Sequence, residues 1–467
     1  MTQSAETLRY YKLDSLPVLG EFAGFARDPL AWVLDRPRLG ELVETHFLGD
    51  KILLCTHPAL AEQVLLKQHA VFTKDWFLRD MKRFLGEGLL TAEGDFWKRQ
   101  RRLAQPAFHR ERIARYADVM VSAASKLADR WVRGEARNVH SDYLAITLDV
   151  VVRTLFGADL GDEAVTIEHA LEAIMGWYSQ PVVVAMPALH KPWFRPFREV
   201  VAQEKRLDAV IRGLIARRRR DPDAGYGDDL LAMLFAAQDE DGSRMTDTQL
   251  RDEVLTVFLA GHETTALTLS WTTWLLAEHP AIQHQLGDEI DAVLGGRAPT
   301  LDDLPRLKFA EAVIKESMRV RPPAWALGRE STAPFELLGR TWGPNTQVWV
   351  NLIGIHHDAR YYEHPERFSP QRWLDGLEKR LPRYAYMPFG GGPRICIGNA
   401  FAQIEAVLML VALCQRWRFV HIAGETVEPV TTITLRPRRG VRVRLEPRRS
   451  LGHRSAAGAA QEPEAVS

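Results

Sequence analysis

Hydrophobic and polar positions change period several times along the chain, and each change marks an element. Near the N-terminus, Leu16-Pro-Val-Leu-Gly20 reads as a turn. Two short extended runs follow, 41–48 and 51–55, split by Gly49-Asp50 in the manner of a hairpin. His57-Pro58 opens a helix expected to run through Leu66. From Phe72 to Leu90 no period holds, and Gly86 and Gly88 intervene, so this stretch is predicted to be irregular and to border a pocket. Helical spacing dominates 95–132, 142–156 and 162–179. The proline-rich apolar stretch 180–197 is predicted to be a mobile loop, and the next helix ends in Arg217–Arg220, four arginines read as a solvated, dipole-matched terminus.

The strongest element comes next. Thr246-Asp-Thr-Gln249 forms a capping box, and a helical pattern runs from it to Glu278, where His279-Pro280 stops it. About thirty residues span roughly 45–50 Å at 1.5 Å each, enough to cross a whole domain. Val254, Leu255, Val257, Phe258, Leu259, Leu267 and Leu269 surround its centre, so the rod is expected to be buried. Helices are also predicted over 308–320 and from Asn399 onward, with a small sheet in the alternating region up to about Val350.

Composition narrows the classes. A chain of 467 residues suggests two or three domains by length. A single buried rod argues instead for one integrated domain, 1–447, followed by a tail, 448–467, whose composition reads as disordered. Sixty basic and sixty acidic residues cancel to a formal charge of zero, which argues against a nucleic-acid partner. Three scattered cysteines cannot build a disulfide framework. Met1 to Asp28 holds no apolar run long enough for a signal peptide or membrane anchor.

The chemistry concentrates around Cys396. In Phe389-Gly-Gly-Gly-Pro-Arg-Ile-Cys-Ile-Gly398, three glycines and a proline make a tight loop that lets backbone approach a flat ligand. A lone cysteine is most often a small buried hydrophobe. This one stands at the mouth of a helix N-terminus, which is expected to lower its pKa and hold a thiolate, either a metal ligand or a nucleophile. Ala260-Gly-His-Glu-Thr-Thr265 places an acid and alcohols inside the apolar rod, where a local bulge or kink is expected because threonine hydroxyls can bond the carbonyl four residues back, against the alternative of a solvated notch or a pair satisfied by backbone. Glu316 and Arg319 form an i,i+3 pair, and Trp97 and Arg101 an i,i+4 pair on one helix face. His262-Glu263 lacks the second histidine of a zinc protease motif, and no glycine-rich nucleotide loop is present.

Taken together, these stretches resemble the cytochrome P-450 superfamily, the haem-thiolate monooxygenases. The five fixed positions of its haem-binding signature are matched by Phe389, Gly392, Arg394, Cys396 and Gly398. The resemblance implies a mainly α fold with a small β region, a triangular helical prism around a buried haem b, with Cys396 as the axial thiolate and O2 as co-substrate. Ala260 and Gly261 match the residues that leave room for oxygen, and Glu263 and Thr264 match the acid–alcohol pair that relays protons. Trp97, Arg101, Arg329 and Arg394 match haem-propionate partners. Glu316 and Arg319 match a buried structural pair whose third member is Arg372, in Phe368-Ser-Pro-Gln-Arg372-Trp373, rather than Arg367.

Positions matching substrate contacts are Leu90, Phe258, Leu259, Trp325, Ala326, Leu327, Thr432 and Ile433. Their apolar character implies a lipophilic small molecule, a terpenoid before a fatty acid. With no flavin or nicotinamide site, electrons are expected from an external ferredoxin or flavodoxin with its reductase. The basic face of Arg101, Arg102, Arg110, Arg112 and Arg115 is its expected dock, against the alternative of a solvated helix. The lack of an anchor implies a soluble, bacterial-type, cytoplasmic member. Two alternatives share the fold: a peroxide-driven or isomerising enzyme, and a non-catalytic haem-thiolate sensor.

Overall fold

The hairpin expected from the first change of period forms between Leu42–Phe47 and Asp50–Cys55, with Leu42 opposite Cys55 and Phe47 opposite Asp50. This computed structural model describes residues 8–14, 20–157, 161, 163–180, 191, 193–220, 229–238, 242 and 244–448, apart from the side chain of Arg110. The turn expected at 16–20 lies largely outside these residues, as do most of 180–197 and the tail beyond Arg448. The hairpin is the middle of a six-stranded sheet whose order is Tyr10–Lys12, Leu42–Phe47, Asp50–Cys55, Gln347–Val350, Leu327–Ser331 and Phe72–Thr73. The sheet packs against helices through Val43, Ile52, Leu54 and Trp349, which meet Leu267 and Trp271 of the long helix in one buried cluster.

Three expectations about helices need correction. The 72–90 stretch is not irregular throughout, since Trp76–Leu85 is a helix. Asp75 caps it by accepting the Leu78 amide at 3.1 Å, and Gly86, at φ +69°, closes it. The 95–132 segment is two helices, Gly94–Ala104 and Arg110–Arg130, separated by a 3₁₀ turn that contains Pro106, which has no N–H to continue the ladder. The four arginines closing Arg195–Arg220 are not simply solvated. Arg218 is buried, pairs with Asp229 and donates to the Phe156 carbonyl at 2.9 Å, while Arg217 reaches Glu163 at 2.7 Å.

The long helix spans Asp247–Glu278, opened by the reciprocal Thr246–Gln249 capping box. It is α-helical throughout, with no π-helical bulge at 260–265. The hydroxyls of Thr264, Thr268 and Thr272 each bond the carbonyl four residues back, at 2.7, 2.9 and 2.7 Å, alongside an intact backbone ladder. Most of its residues from Leu250 to Ala277 are buried, yet Val257, Ala260, Gly261 and Thr264 are not. Their spacing of three, four and seven puts them in one stripe, an opening along a packed rod.

A second buried element, Lys308–Val320, carries the pair that holds the Cys396 loop. Glu316 and Arg319 are both wholly buried and meet through two bonds of 2.9 Å. Glu316 also accepts from Arg372 Nε at 3.0 Å, the Ser369 amide at 3.0 Å and the Trp373 indole at 2.9 Å. Arg367 contributes only its carbonyl, to Arg319 at 3.1 Å. Arg319 in turn donates to the His356 carbonyl, and His356 Nε2 accepts the Met387 amide at 3.0 Å. Tyr362 and Tyr386 bind Ala385 and Lys315 carbonyls, so the segment leading into 389–398 is tied to this helix at several points. Glu316→Leu strands a buried guanidinium and is expected to cost about 3–5 kcal/mol. Denaturant unfolding measures it, and a loss below about 1 kcal/mol would mean that the carboxylate does not organise the loop.

Candidate functional site

Backbone geometry sets the loop around Cys396. The Cys396 amide donates to the Phe389 carbonyl at 3.0 Å, and the Gly392 amide to Tyr384 Oη at 3.1 Å. Gly392 is held at φ +67°, and a Cβ there would fall 1.8 Å from the Leu65 carbonyl oxygen, so only glycine fits. Phe389 and Gly398 sit half-buried at the two ends of this turn, and Gly398 precedes the Asn399–Arg416 helix, which packs on the long helix.

Cys396 is exposed, whereas Cys55 and Cys414 are buried. Its electrostatics correct the expectation of a lowered pKa. Burial of the thiol by the protein that crowds its other sides pushes it up, and the Gly398 amide and Arg101 offset this only in part. A metal bound at the sulfur would favour the thiolate further, beyond what the Gly398 amide and Arg101 supply.

Around the loop lies a cluster of cations. Arg394 stacks over the Trp97 ring at 4.3 Å, donates to the Ala92 carbonyl at 2.9 Å and pairs with Glu93. Arg101 donates to the Ile395 carbonyl at 2.6 Å, directly onto the Cys396 loop. Arg329 is buried, touching the Gly328 carbonyl at 2.7 Å, and burial and then Arg394 lower its pKa to about 10. Lys74, also buried, is lowered to about 7 by burial, then by Arg329 and Arg394. Sequence reasoning missed it, because a lone lysine before a helix cap looks solvated. Four cations, Lys74, Arg101, Arg329 and Arg394, thus face two carboxylates, Asp75 and Glu93. Cations that outnumber their neighbouring carboxylates in a partly desolvated site are costly unless an anion joins them.

Glu263 is turned away from the open stripe of the long helix. It is buried, and its Oε1 accepts from Thr434 Oγ1 at 2.6 Å and from Arg436 Nε at 2.5 Å. Burial by itself would raise its pKa, but Arg436 and these hydrogen bonds more than offset it and hold the carboxyl below its usual range. Its neighbour Thr264 lies in the stripe with Ala260 and Gly261. Neither Thr434 nor Arg436 carries a sequence signal, since both are distant in the chain.

A cavity of about 460 Å³ is lined by Trp325, Ala326, Thr432 and Ile433, together with Phe25, Phe47, Asp50 and Asp75. Phe25 and Phe47 rings lie 5.0 Å apart, and the Trp325 indole donates to the Thr432 carbonyl at 2.8 Å. Leu327 instead faces the Cys396 loop, 3.5 Å from where a Gly390 Cβ would be. Leu90 and Leu259 pack in the adjoining helical core. Phe258 does not line the cavity: it is wholly buried and stacked on Phe156 at 4.7 Å. On another face, Trp97, Lys98, Arg101, Arg102, Gln105 and His109 edge a separate hollow, on the basic side expected from sequence. Arg112 and Arg115 continue on the following helix. Among the described residues no cluster of three or more metal-ligating side chains is present, and no helix is long and apolar enough to cross a membrane.

A glycine-cradled open thiol, excess cations beside it and a small-residue stripe on a buried helix define one class of protein. The family model described as Cytochrome P450 matches residues 14–443, and the chain belongs to the cytochrome P450 family as a monooxygenase. It is 37% identical over 424 residues to cyclooctatin synthase of Streptomyces melanosporofaciens, covering 90% of this chain and 92% of that one. It is 34% identical over 438 residues to pentalenene oxygenase of Streptomyces avermitilis, covering 93% and 96%. Its fold matches that of a retinoic-acid-bound cyanobacterial CYP120A1 with a TM-score of 0.82 at 24% identity, over 92% of this chain and 97% of the other.

The family implies a haem-iron cofactor, and the residues present fit one: the thiol is open, the glycines admit a flat ring, and the surplus of cations suits two propionates. Lys74 supplies a test. Its pKa is near 7 when folded and in the ordinary lysine range when unfolded, so the unfolded chain binds more protons between those values and stability rises with pH across that window. Haem-free Lys74→Met is therefore expected to unfold at higher denaturant than wild type at pH 7, with the gap closing towards pH 10. The haem-loaded variant should lose haem several-fold faster to apomyoglobin, the outcome expected of a side chain that pairs with a propionate.

Proposed function

We propose that the protein inserts one oxygen atom from O2 into a C–H bond of a terpenoid hydrocarbon or alcohol, using two electrons delivered by a separate protein. The observation that carries the reading is the open Cys396 thiol in a loop that only glycine can form, beside cations that outnumber the carboxylates near them. Cys396 would hold haem iron, while Arg101, Arg329, Arg394 and Lys74, with Trp97, would neutralise and orient its carboxylates. Haem bound through a thiolate supplies the activation of dioxygen. What this chain adds is position, dryness and protons. Ala260 and Gly261 keep side-chain bulk off the stripe, and Thr264 presents a hydroxyl there whose proton is parked on the Ala260 carbonyl. Glu263 is one residue away as a proton store.

The cavity supports the substrate class. Its volume of about 460 Å³ suits a small molecule, and its mostly apolar lining, which includes the carboxylates Asp50 and Asp75, holds among the described residues no cation to pair with a carboxylate group. Relatives named cyclooctat-9-en-7-ol 5-monooxygenase and pentalenene oxygenase favour a terpenoid over a fatty acid. The hollow edged by Trp97, Arg101 and Arg102 suits an acidic electron carrier, a ferredoxin or flavodoxin.

The decisive measurement is the reduced, carbon-monoxide-treated absorption spectrum: the far-shifted band of sulfur-ligated haem is expected in wild type and absent from Cys396→Ser. Titration with diterpene and sesquiterpene hydrocarbons should displace the haem band at lower concentration than fatty acids of similar length. Thr264→Ala should keep the spectrum yet convert at least about tenfold fewer electron pairs into product, the remainder leaving as hydrogen peroxide. Unaltered coupling in that variant would remove the hydroxyl from the proton path.

A further inference from the structure

We infer that the hairpin forming one wall of the substrate cavity is also the latch that holds the acid of the long helix, so that cavity occupancy and the freedom of Glu263 are coupled through Thr434 and Arg436. The hairpin strands are Pro429–Thr431 and Leu435–Pro437, antiparallel, with Thr431 opposite Leu435. Its tip is only three residues long. Two of them, Thr432 and Ile433, line the cavity, and the third, Thr434, donates its hydroxyl to Glu263 Oε1 at 2.6 Å. Arg436, two residues further on, adds its Nε to the same oxygen.

Both the tip and its attachments are stiff. Thr432 bonds the Thr434 carbonyl through its amide at 2.9 Å and its hydroxyl at 2.7 Å, and the Thr434 amide returns to the Thr432 hydroxyl at 3.2 Å. The Thr432 carbonyl is held by the indole of Trp325, another cavity wall. The Leu435 carbonyl accepts from Trp271 of the long helix at 2.9 Å. A ligand pressing on Trp325 or Ile433 therefore cannot move the tip without moving the two donors on Glu263. Packed units of this kind shift between discrete arrangements rather than yielding gradually.

The latch matters because of helix geometry. Successive residues on a helix point about 100° apart, so a Glu263 held by the hairpin does not share the open face of Thr264. The acid can serve that face only after exchanging Arg436 and Thr434 for other partners. The charged and titratable groups around it are Arg436, His262 and His140, the last bonded to Ser270 at 2.9 Å. Both histidines are kept neutral by burial near Arg436, so neither replaces the arginine as a counter-charge at neutral pH. Arg436 is partly exposed, about a quarter of its side chain, and so links this buried acid to solvent. Thr434 and Arg436 act through Glu263 and are positioning residues.

This inference rests on the reading of Glu263 as the proton store. Arg436→Gln in the haem-loaded enzyme tests it, with Arg436→Lys as the conservative partner and a sesquiterpene hydrocarbon, farnesene, as the cavity probe. Coupling is reciprocal, so if a ligand loosens the latch, cutting the latch must favour the ligand. Arg436→Gln is expected to bind farnesene about three- to tenfold more tightly by displacement of the haem band, and Arg436→Lys to restore most of the difference. Substrate-free oxygen consumption should rise several-fold, and the acid limb of the rate profile should move to higher pH as Glu263 loses its counter-charge. Equal farnesene affinity and equal substrate-free consumption in Arg436→Gln would overturn the latch. Glu263→Gln separates the two readings. If that variant retains full coupling and an unshifted pH profile, the proton-store assignment fails; if it uncouples while Arg436→Gln behaves as wild type, only the latch does.

Discussion

One carboxylate, that of Glu316, organises the part of the molecule on which everything else depends. Without exposure to water it accepts from two arginines, one indole and one backbone amide, so its charge is met on every side. A buried ion pair contributes little net stability over an apolar replacement, but its geometry is unforgiving. That makes it suited to fixing orientation. From Arg319 the constraint passes through the His356 carbonyl and imidazole to Met387, two residues before the Cys396 loop begins. The loop itself has little room to choose its shape, since Gly392 is pinned against the Leu65 carbonyl.

Around that fixed loop the protein stores an electrostatic imbalance rather than removing it. Burial lowers the pKa of Lys74, Arg329 and Arg394, and neighbouring arginines lower each further, while Glu93 offsets only part of this. Such an arrangement destabilises the empty fold and is relieved by an anionic ligand, which links folding stability to cofactor loading. The long helix makes a parallel compromise. It is packed along most of its surface, and it leaves one stripe of small residues open where packing would otherwise have been worth more. Both features give up stability at the place where a ligand must enter.

The cavity and the acid, described separately, turn out to share a wall. Thr432 and Ile433 face the space available to a substrate, and Thr434 and Arg436 face Glu263. A few residues of tight hairpin therefore connect the cavity with the buried acid, which under the proposed function links apolar recognition to proton handling.

The amino-acid sequence by itself determined the long helix, its capping box, the hairpin at Gly49-Asp50 and the family, because each rests on neighbours within a few positions or on a short fixed spacing. The Trp76–Leu85 helix was legible too, from Asp75 as cap and Gly86 as terminator, but the glycines were read as a sign of irregular backbone rather than as a stop. Other features had no local signal. Lys74 became a buried cation only when Arg329 and Arg394 converged on it, and Arg218 acquired Asp229 only through packing of distant segments. Phe258 looked like a pocket residue until its stacking on Phe156 placed it in the core. The thiol of Cys396 shows the division most clearly. Spacing sets it at a helix terminus, which lowers a pKa, but burial by the surrounding fold raises it further than the Gly398 amide and Arg101 lower it, and desolvation is a property of the whole fold.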